Sequence, residues 1–251
     1  MQYRITPLLG LGLSIVLCFC ACKKDDPEPT CVATDPGTVT DIDGNIYETV
    51  KIGTQVWMTE NLRTTKYSNG DAIPNITADT TWEDATSSGW CWFDNDSENE
   101  NVYGKLYNWF VVSDVRNVCP TGWHVPTDED WKTLELYLGM DSVDVDSSGF
   151  LFRGIAQNIG GMMRAVGTDY WIAPNDSATN VSCFSGLPGG GRNTKDGTFT
   201  NLGYYAGWWT ATEKTTGQGG AWYRSLSSEN GSFSKSSYKF QNGVYIRCIK
   251  D

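Results

Sequence analysis

Chemistry in this chain would have to start from one histidine, eight cysteines and a few clusters of carboxylates. His124 could serve as a general base only with a nucleophile beside it and an orienting group behind it. It stands just before a helix start, Pro126-Thr127-Asp128-Glu129-Asp130, where a structural hydrogen-bonding role fits better; a hydrolase using His124 stays as an alternative. Asp94, Asp96, Glu98 and Glu100 line a loop whose oxygens suit a hard cation. A solvated loop is the simpler reading, and the same holds for Asp141, Asp144 and Asp146. Asp41-x-Asp43-x-Asn45 imitates the opening of a calcium loop, but Ile46 and Ile52 occupy the places of the required Gly and Glu. Gly189-Gly190-Gly191-Arg192 lacks the Lys-Ser/Thr that completes a phosphate loop and reads as a tight turn near the core. No metal and no cofactor are expected.

Cys22 offers a different chemistry. It follows a basic Arg4, an apolar run from Leu8 to Ala21 and the small residue Ala21, and it precedes a polar Lys23-Lys24-Asp25-Asp26-Pro27 stretch. That layout is a secretory signal, and a Cys just after the cut gives it the form of a bacterial lipoprotein signal with Cys22 lipidated. As a helix the run would span about 21 Å, short of a hydrocarbon core of about 30 Å. An uncleaved anchor counted from Ile5 is the alternative; Cys18 and Cys20 are rival lipidation sites inside or beside bulky apolar residues. The expected organisation is therefore a signal peptide at 1–21, a tether at 22–37 and a single domain at 38–251.

The elements that would carry such groups follow from patterning. About 215 residues suffice for one sizeable core. The formal charge of −11, or −12 once Arg4 leaves with the signal, disfavours binding to nucleic acid or anionic lipid, which need a basic surface. Eleven Trp and 27 Gly point to irregular backbone held by large aromatic anchors. Asp43-Gly44-Asn45 between Val39/Ile42 and Ile46 predicts a hairpin, continued as strands by Tyr47, Val50, Ile52, Val56 and Trp57 around Gly53. Residues 61–101 read as loop. Leu106, Trp109 and Phe110 predict an amphipathic helix. A second helix has an N-cap in Thr127, an acidic first turn, a Trp131/Leu134/Leu138 stripe and a stop at Gly139. Short strands and glycine turns follow residue 150 and end in the alternating run Val244, Ile246, Cys248. Five cysteines follow Cys22, so at least one stays free or pairs between chains; no CxxC or zinc-type cluster occurs among them.

Five segments in order carry a resemblance. They are Asp43-Gly44-Asn45-x-Tyr47 with Ile52-Gly53-x-Gln55-x-Trp57-Met58-x-Glu60-Asn61-Leu62; Tyr103-Gly104-x-Leu106-Tyr107-Asn108-Trp109; Cys119-Pro120-x-Gly122-Trp123-His124-x-Pro126-Thr127; Phe184-Ser185-x-Leu187-Pro188-Gly189-Gly190; and Arg247-Cys248. Over residues 38–251 the chain resembles the Fibrobacter succinogenes major paralogous domain, which is common in lipoproteins. More distantly, the Pro126–Trp131 and Val244–Asp251 segments are similar to the formylglycine-generating enzyme superfamily. That likeness implies a C-type-lectin-like α+β fold with two main helices, twisted antiparallel strands and long irregular loops. It does not extend to the enzyme's catalysis, because Ala221–Asn242 holds no cysteine pair. Nor does calcium-dependent sugar binding fit, because Ala173-Pro174-Asn175 lacks the acidic ligand.

The resemblance also implies that the chain end lies beside the helices, which would bring Cys119 and Cys248 together as a disulfide. Pairings of Cys91 or Cys183 with Cys248, or free thiols throughout, remain open at this stage. The expected function is a lipid-anchored protein of the outer membrane or cell surface whose non-catalytic domain binds a glycan or an envelope protein. Trp171, Arg192, Tyr204 and Trp222 are the candidate contacts; a structural role in envelope assembly is the alternative.

Overall fold

A computed structural model describes residues 1, 31, 33–149, 152–217 and 219–251. Cys22, all but the first residue of the expected signal peptide and most of the expected tether lie outside the described residues.

The chain opens with the hairpin the sequence predicts. Strand β1 (Gly37–Thr40) pairs antiparallel with β2 (Ile46–Ile52), and β3 (Gln55–Met58) follows around Gly53. The Asp/Asn spacing organises the turn. Asp41 accepts from the backbone N–H groups of Asp43 and Asn45 and from the Tyr47 hydroxyl at 2.6 Å. Asp43 accepts from Thr65 and pairs with Lys66 at 2.9 Å. Protein donors thus take the carboxylate oxygens that a calcium ion would need.

Between residues 61 and 112 the backbone is mostly irregular. It carries α1 (Asp79–Glu83), β4 (Trp90–Cys91), α2 (Glu100–Tyr103), β5 (Leu106–Tyr107) and α3 (Trp109–Val112). The helix expected across Leu106, Trp109 and Phe110 is therefore only the four-residue α3. Leu106 and Tyr107 pair with Cys91 and Trp90, and Tyr107 also bridges to Val244, so long-range ladders override the local helical spacing.

After β6 (Trp123–His124) comes α4 (Asp128–Tyr137), which starts where Thr127 caps it. Thr127 Oγ1 accepts from the Asp130 N–H, and Asp130 Oδ2 accepts from the Thr127 N–H at 2.8 Å, a complete capping box. Gly139, at φ 96°, ends the helix. This ten-residue helix is the one long helix among the described residues; α5 (Ser142–Val145) and α6 (Ile159–Met163) are single turns, which corrects the expectation of two main helices.

The remainder is sheet: β7 (Gly189–Arg192) with β8 (Phe199–Leu202), then β9 (Tyr205–Glu213), β10 (Ala221–Ser227) and β11 (Ser234–Tyr238) in a three-stranded meander. The final strand β12 (Ile249–Lys250) inserts between β3 and β6 of a five-stranded sheet ordered β1-β2-β3-β12-β6. The architecture is mixed and dominated by sheet. The run before β12 does not alternate inside and out: Val244, Tyr245, Ile246, Arg247 and Cys248 are all buried, bridging to Tyr107 on one side and Trp208 on the other.

The core explains the tryptophan count. Every Trp but Trp92 and Trp222 is buried. Trp131 of α4 meets Trp57 at 4.7 Å between ring centroids, Phe184 at 5.8 Å and Phe233 at 5.7 Å. Such rings bury large apolar areas at low rotamer cost, which helps a loop-rich backbone hold one shape. Beneath α4 lies a buried ionic network invisible in the sequence. Glu135 accepts from Arg153 and, at 2.6 Å, from Arg224 Nε, while Asp128 sits 2.9 Å from Arg224 and 2.7 Å from Lys235.

Two disulfides close long loops. Cys119–Cys248 joins the segment before β6 to the chain end, with Cα atoms 6.0 Å apart, as the resemblance implied. Cys31–Cys183 joins a residue within the expected tether to the domain, with Cα atoms 5.1 Å apart. Cys91 is a free thiol, and burial pushes it up to about 12.

Candidate functional site

The most distinctive exposed feature is an aromatic cluster around the turn between β8 and β9. Residues 170–172 pass beside that turn with their side chains in alternation. Trp171 is buried, its indole N–H donating to the Gly186 carbonyl at 3.0 Å, so its neighbours Tyr170 and Ile172 stand out at 47% and 41% exposure. The Ile172 N–H donates to the Gly203 carbonyl at 2.8 Å and ties this segment to the turn. Gly203 has φ 81°, and a Cβ there would lie 2.9 Å from the Ile172 side chain, so conformation and close approach both call for glycine. Leu202 and Tyr204 flank it, and Tyr204 is half exposed. Tyr103, at the end of α2, reaches the Tyr170 ring edge to face, with centroids 6.2 Å apart. Burial raises the Tyr103 phenol above its ordinary value, which keeps it a neutral hydroxyl.

The turn is held from below by Gly203 donating to the Pro188 carbonyl and by Ser228 donating to the Tyr204 carbonyl. Exposed Tyr170 and Tyr204, with Ile172 and Leu202, thus surround one turn, here termed the platform. It can stack on the CH face of a ring and exchange hydrogen bonds at its rim; it holds no acid–base pair.

Among the residues the sequence singled out, only Tyr204 lies on this platform. Trp171 positions the platform from inside and does not offer its own ring, which corrects its assignment as a contact. Arg192 is also interior: it donates to the carbonyls of Gly197, Ile76 and Thr77, pairs with Asp79 at 2.7 Å and stacks on Trp82. A guanidinium so fully engaged staples the 76–79 segment to β7 and is not free to meet a ligand. Trp222 is half-buried beneath Lys214 and Lys235, whose ammonium nitrogens lie 5.0 and 4.9 Å from its ring centroid. It stands at the far end of the β9–β10 ladder from Tyr204, since Ala221 pairs with Glu213 while Ser227 pairs with Tyr205. Tyr103, Tyr170, Ile172 and Leu202 went unrecognised; the apolar Tyr170-Trp171-Ile172 triplet carries no mark of which member turns outward.

His124 is sandwiched between carboxylates. Nδ1 lies 2.6 Å from Asp251 and Nε2 lies 3.3 Å from Asp130, the same Asp130 that completes the helix cap. With both ring nitrogens facing carboxylates, the imidazole joins the chain end to the start of α4. In the acidic loop, Asp96 caps the Glu98 N–H and Glu100 is taken by Lys105 at 2.5 Å and Trp92 at 2.7 Å. Among the described residues no three His, Cys, Asp or Glu side chains are grouped as a metal site, and no helix is long and apolar enough to cross a membrane.

The family model described as Fibrobacter succinogenes major domain matches residues 50–250. No curated protein matches the chain. No solved structure matches it either.

Proposed function

The chain belongs to the Fibrobacter succinogenes major domain family, and we propose that it is a lipid-anchored protein of the outer membrane or cell surface that binds a glycan through the Gly203 platform. The observation that carries this reading is the pair of exposed tyrosines, Tyr170 and Tyr204, set on either side of one glycine turn by buried anchors. Tyrosine combines an apolar face for sugar CH groups with a polar tip for hydroxyls. Carboxylates engaged by protein donors at Asp41, Asp43 and Glu100 support a mode that does not use calcium. The engaged His124 supports a non-catalytic domain. The layout before Cys22 supports lipidation there. We take the architecture as C-type-lectin-like, a reading supported by the capped α4 packed on antiparallel sheet and by the chain end lying in the same sheet as the opening hairpin.

The test is a glycan array probed with the Cys22→Ser protein, with and without chelator. A Tyr170→Ala/Tyr204→Ala variant should lose binding by about tenfold or more, equivalent to about 1.4 kcal/mol, while Trp222→Ala and chelation leave it unchanged. Binding that survives loss of both tyrosines, or an array with no ligand, refutes the proposal.

A further inference from the structure

The Cys31–Cys183 bond does more than close a loop, because of where Cys31 falls. It lies nine positions after Cys22. Whatever conformation the intervening residues adopt, nine residue steps span at most about 31 Å. A folded domain of about 215 residues has a radius of gyration of about 17 Å, and thus measures about 44 Å across if spherical. The leash is shorter than the domain is wide, so an anchor at Cys22 cannot reach round to the side opposite Cys183. Without the bond, the first tether residue hydrogen-bonded to the domain is Thr34, whose carbonyl accepts from Lys51, and β1 begins at Gly37. Twelve to fifteen steps reach about 40–50 Å, comparable with the domain's width, so the disulfide tightens the restraint on orientation.

We propose that the face carrying Cys183 rests on the lipid bilayer, held there by this disulfide; the inference depends on lipidation of Cys22. The face is chemically suited to a headgroup layer. Thr34, Lys51, Tyr137 and Val181 line a depression together with Cys183. Tyr137 and Val181 are 64% and 52% exposed, and Lys51 is exposed. A tyrosine and a lysine can each place an apolar part at the acyl boundary and a polar tip among the headgroups. The overall charge of −11 gives no general attraction to anionic lipid, so the leash sets the orientation, and it does so on zwitterionic bilayers too.

A separate surface provides the control. The fully exposed Val115 lines a different depression with Phe110, Ser113 and Arg116, which shares no residue with the one at Cys183.

The experiment uses the full lipidated protein in phosphatidylcholine vesicles, with a benzophenone amino acid placed at Val181 or at Val115. Irradiation should yield several-fold more lipid adduct from position 181. Inserting about 20 Gly/Ser residues between Lys24 and Asp25 leaves the fold and both disulfides intact but lengthens the leash beyond the domain's width; the difference should then collapse. Equal yields from the two positions without the insertion, or no adduct from 181, overturn the proposal. Failure of the underlying lipid reading shows separately: a Cys22→Ser protein that still incorporates fatty acid sinks that reading and this inference with it.

Discussion

Replacing Glu135 by Gln tests the buried network under α4. The side chain is fully buried, and its two oxygens face Arg153 and Arg224. Gln keeps the shape and one acceptor but removes the charge. Arg153 retains the carbonyls of Phe233 and Val145, and Arg224 retains Asp128 at 2.9 Å, so neither guanidinium is stripped bare. At an effective dielectric constant of about 20, each contact at about 4 Å between charge centres is worth about 4 kcal/mol. Part of that is already offset by the desolvation the ions have undergone, and breaking one partner of a buried pair costs about 3–5 kcal/mol in practice. Divided by a urea slope of about 2 kcal/mol/M, this becomes a fall of about 2 M in the unfolding midpoint. Urea titration of the disulfide-intact protein, followed by tryptophan fluorescence and far-UV circular dichroism, reads it directly. Glu129→Gln on the exposed side of the same helix is the control and should shift the midpoint little, since surface ion pairs are worth about 0–1 kcal/mol. A Glu135→Gln midpoint indistinguishable from that of Glu129→Gln would refute the claim that the network supports the fold.

Two further outcomes are expected. Partial burial acts to raise the Asp43 carboxyl, but Lys66, Thr65 and Thr64 outweigh it and hold it at about 2. A depressed carboxylate contributes stability that is present above its ordinary value near 4 and is lost as pH falls toward 2, so NMR titration should show a midpoint near 2 and loosening of the hairpin turn across that window; a midpoint near 4 counts against the turn geometry. Cys91, with its thiol pushed up to about 12 by burial, should resist thiol reagents at pH 8 in the native Cys22→Ser protein and react once the chain is unfolded in urea without reductant; fast native labelling at Cys91 would contradict its burial.

In the proposed reading, the platform and the anchored face would divide the molecule's surface between two tasks. Gly203 sits in the turn between β8 and β9, and Cys183, bonded to the tether, lines the depression with Tyr137 and Val181. Both depend on segments between α6 and β7 that have little regular structure and are pinned by buried anchors, Trp171 to Gly186 and Cys183 to Cys31. Such loops, fixed from beneath by a rigid core, are where binding surfaces commonly arise.

What the sequence determined by itself was local. The Asp43-Gly44-Asn45 turn, the strands around Gly53, the Thr127 cap and the Gly139 stop each depend on residues within a few positions of one another, because turn and cap chemistry acts over one or two hydrogen bonds. The family was legible for the same reason: its motifs are short and occur in order. Tertiary structure decided everything that depended on which face of a segment turned inward. Leu106 and Tyr107 became strand because ladder partners far along the chain claimed them. Arg192 and Trp171, whose residue types suit a ligand, went into the core because carbonyls and an aspartate from distant segments met them there. Glu135 found Arg153 and Arg224, and Cys31 found Cys183, across 18, 89 and 152 positions respectively. No periodicity spans such separations; they are set by the packing of whole elements, and so the surroundings of Cys183 and of Gly203 could only emerge once the chain was folded.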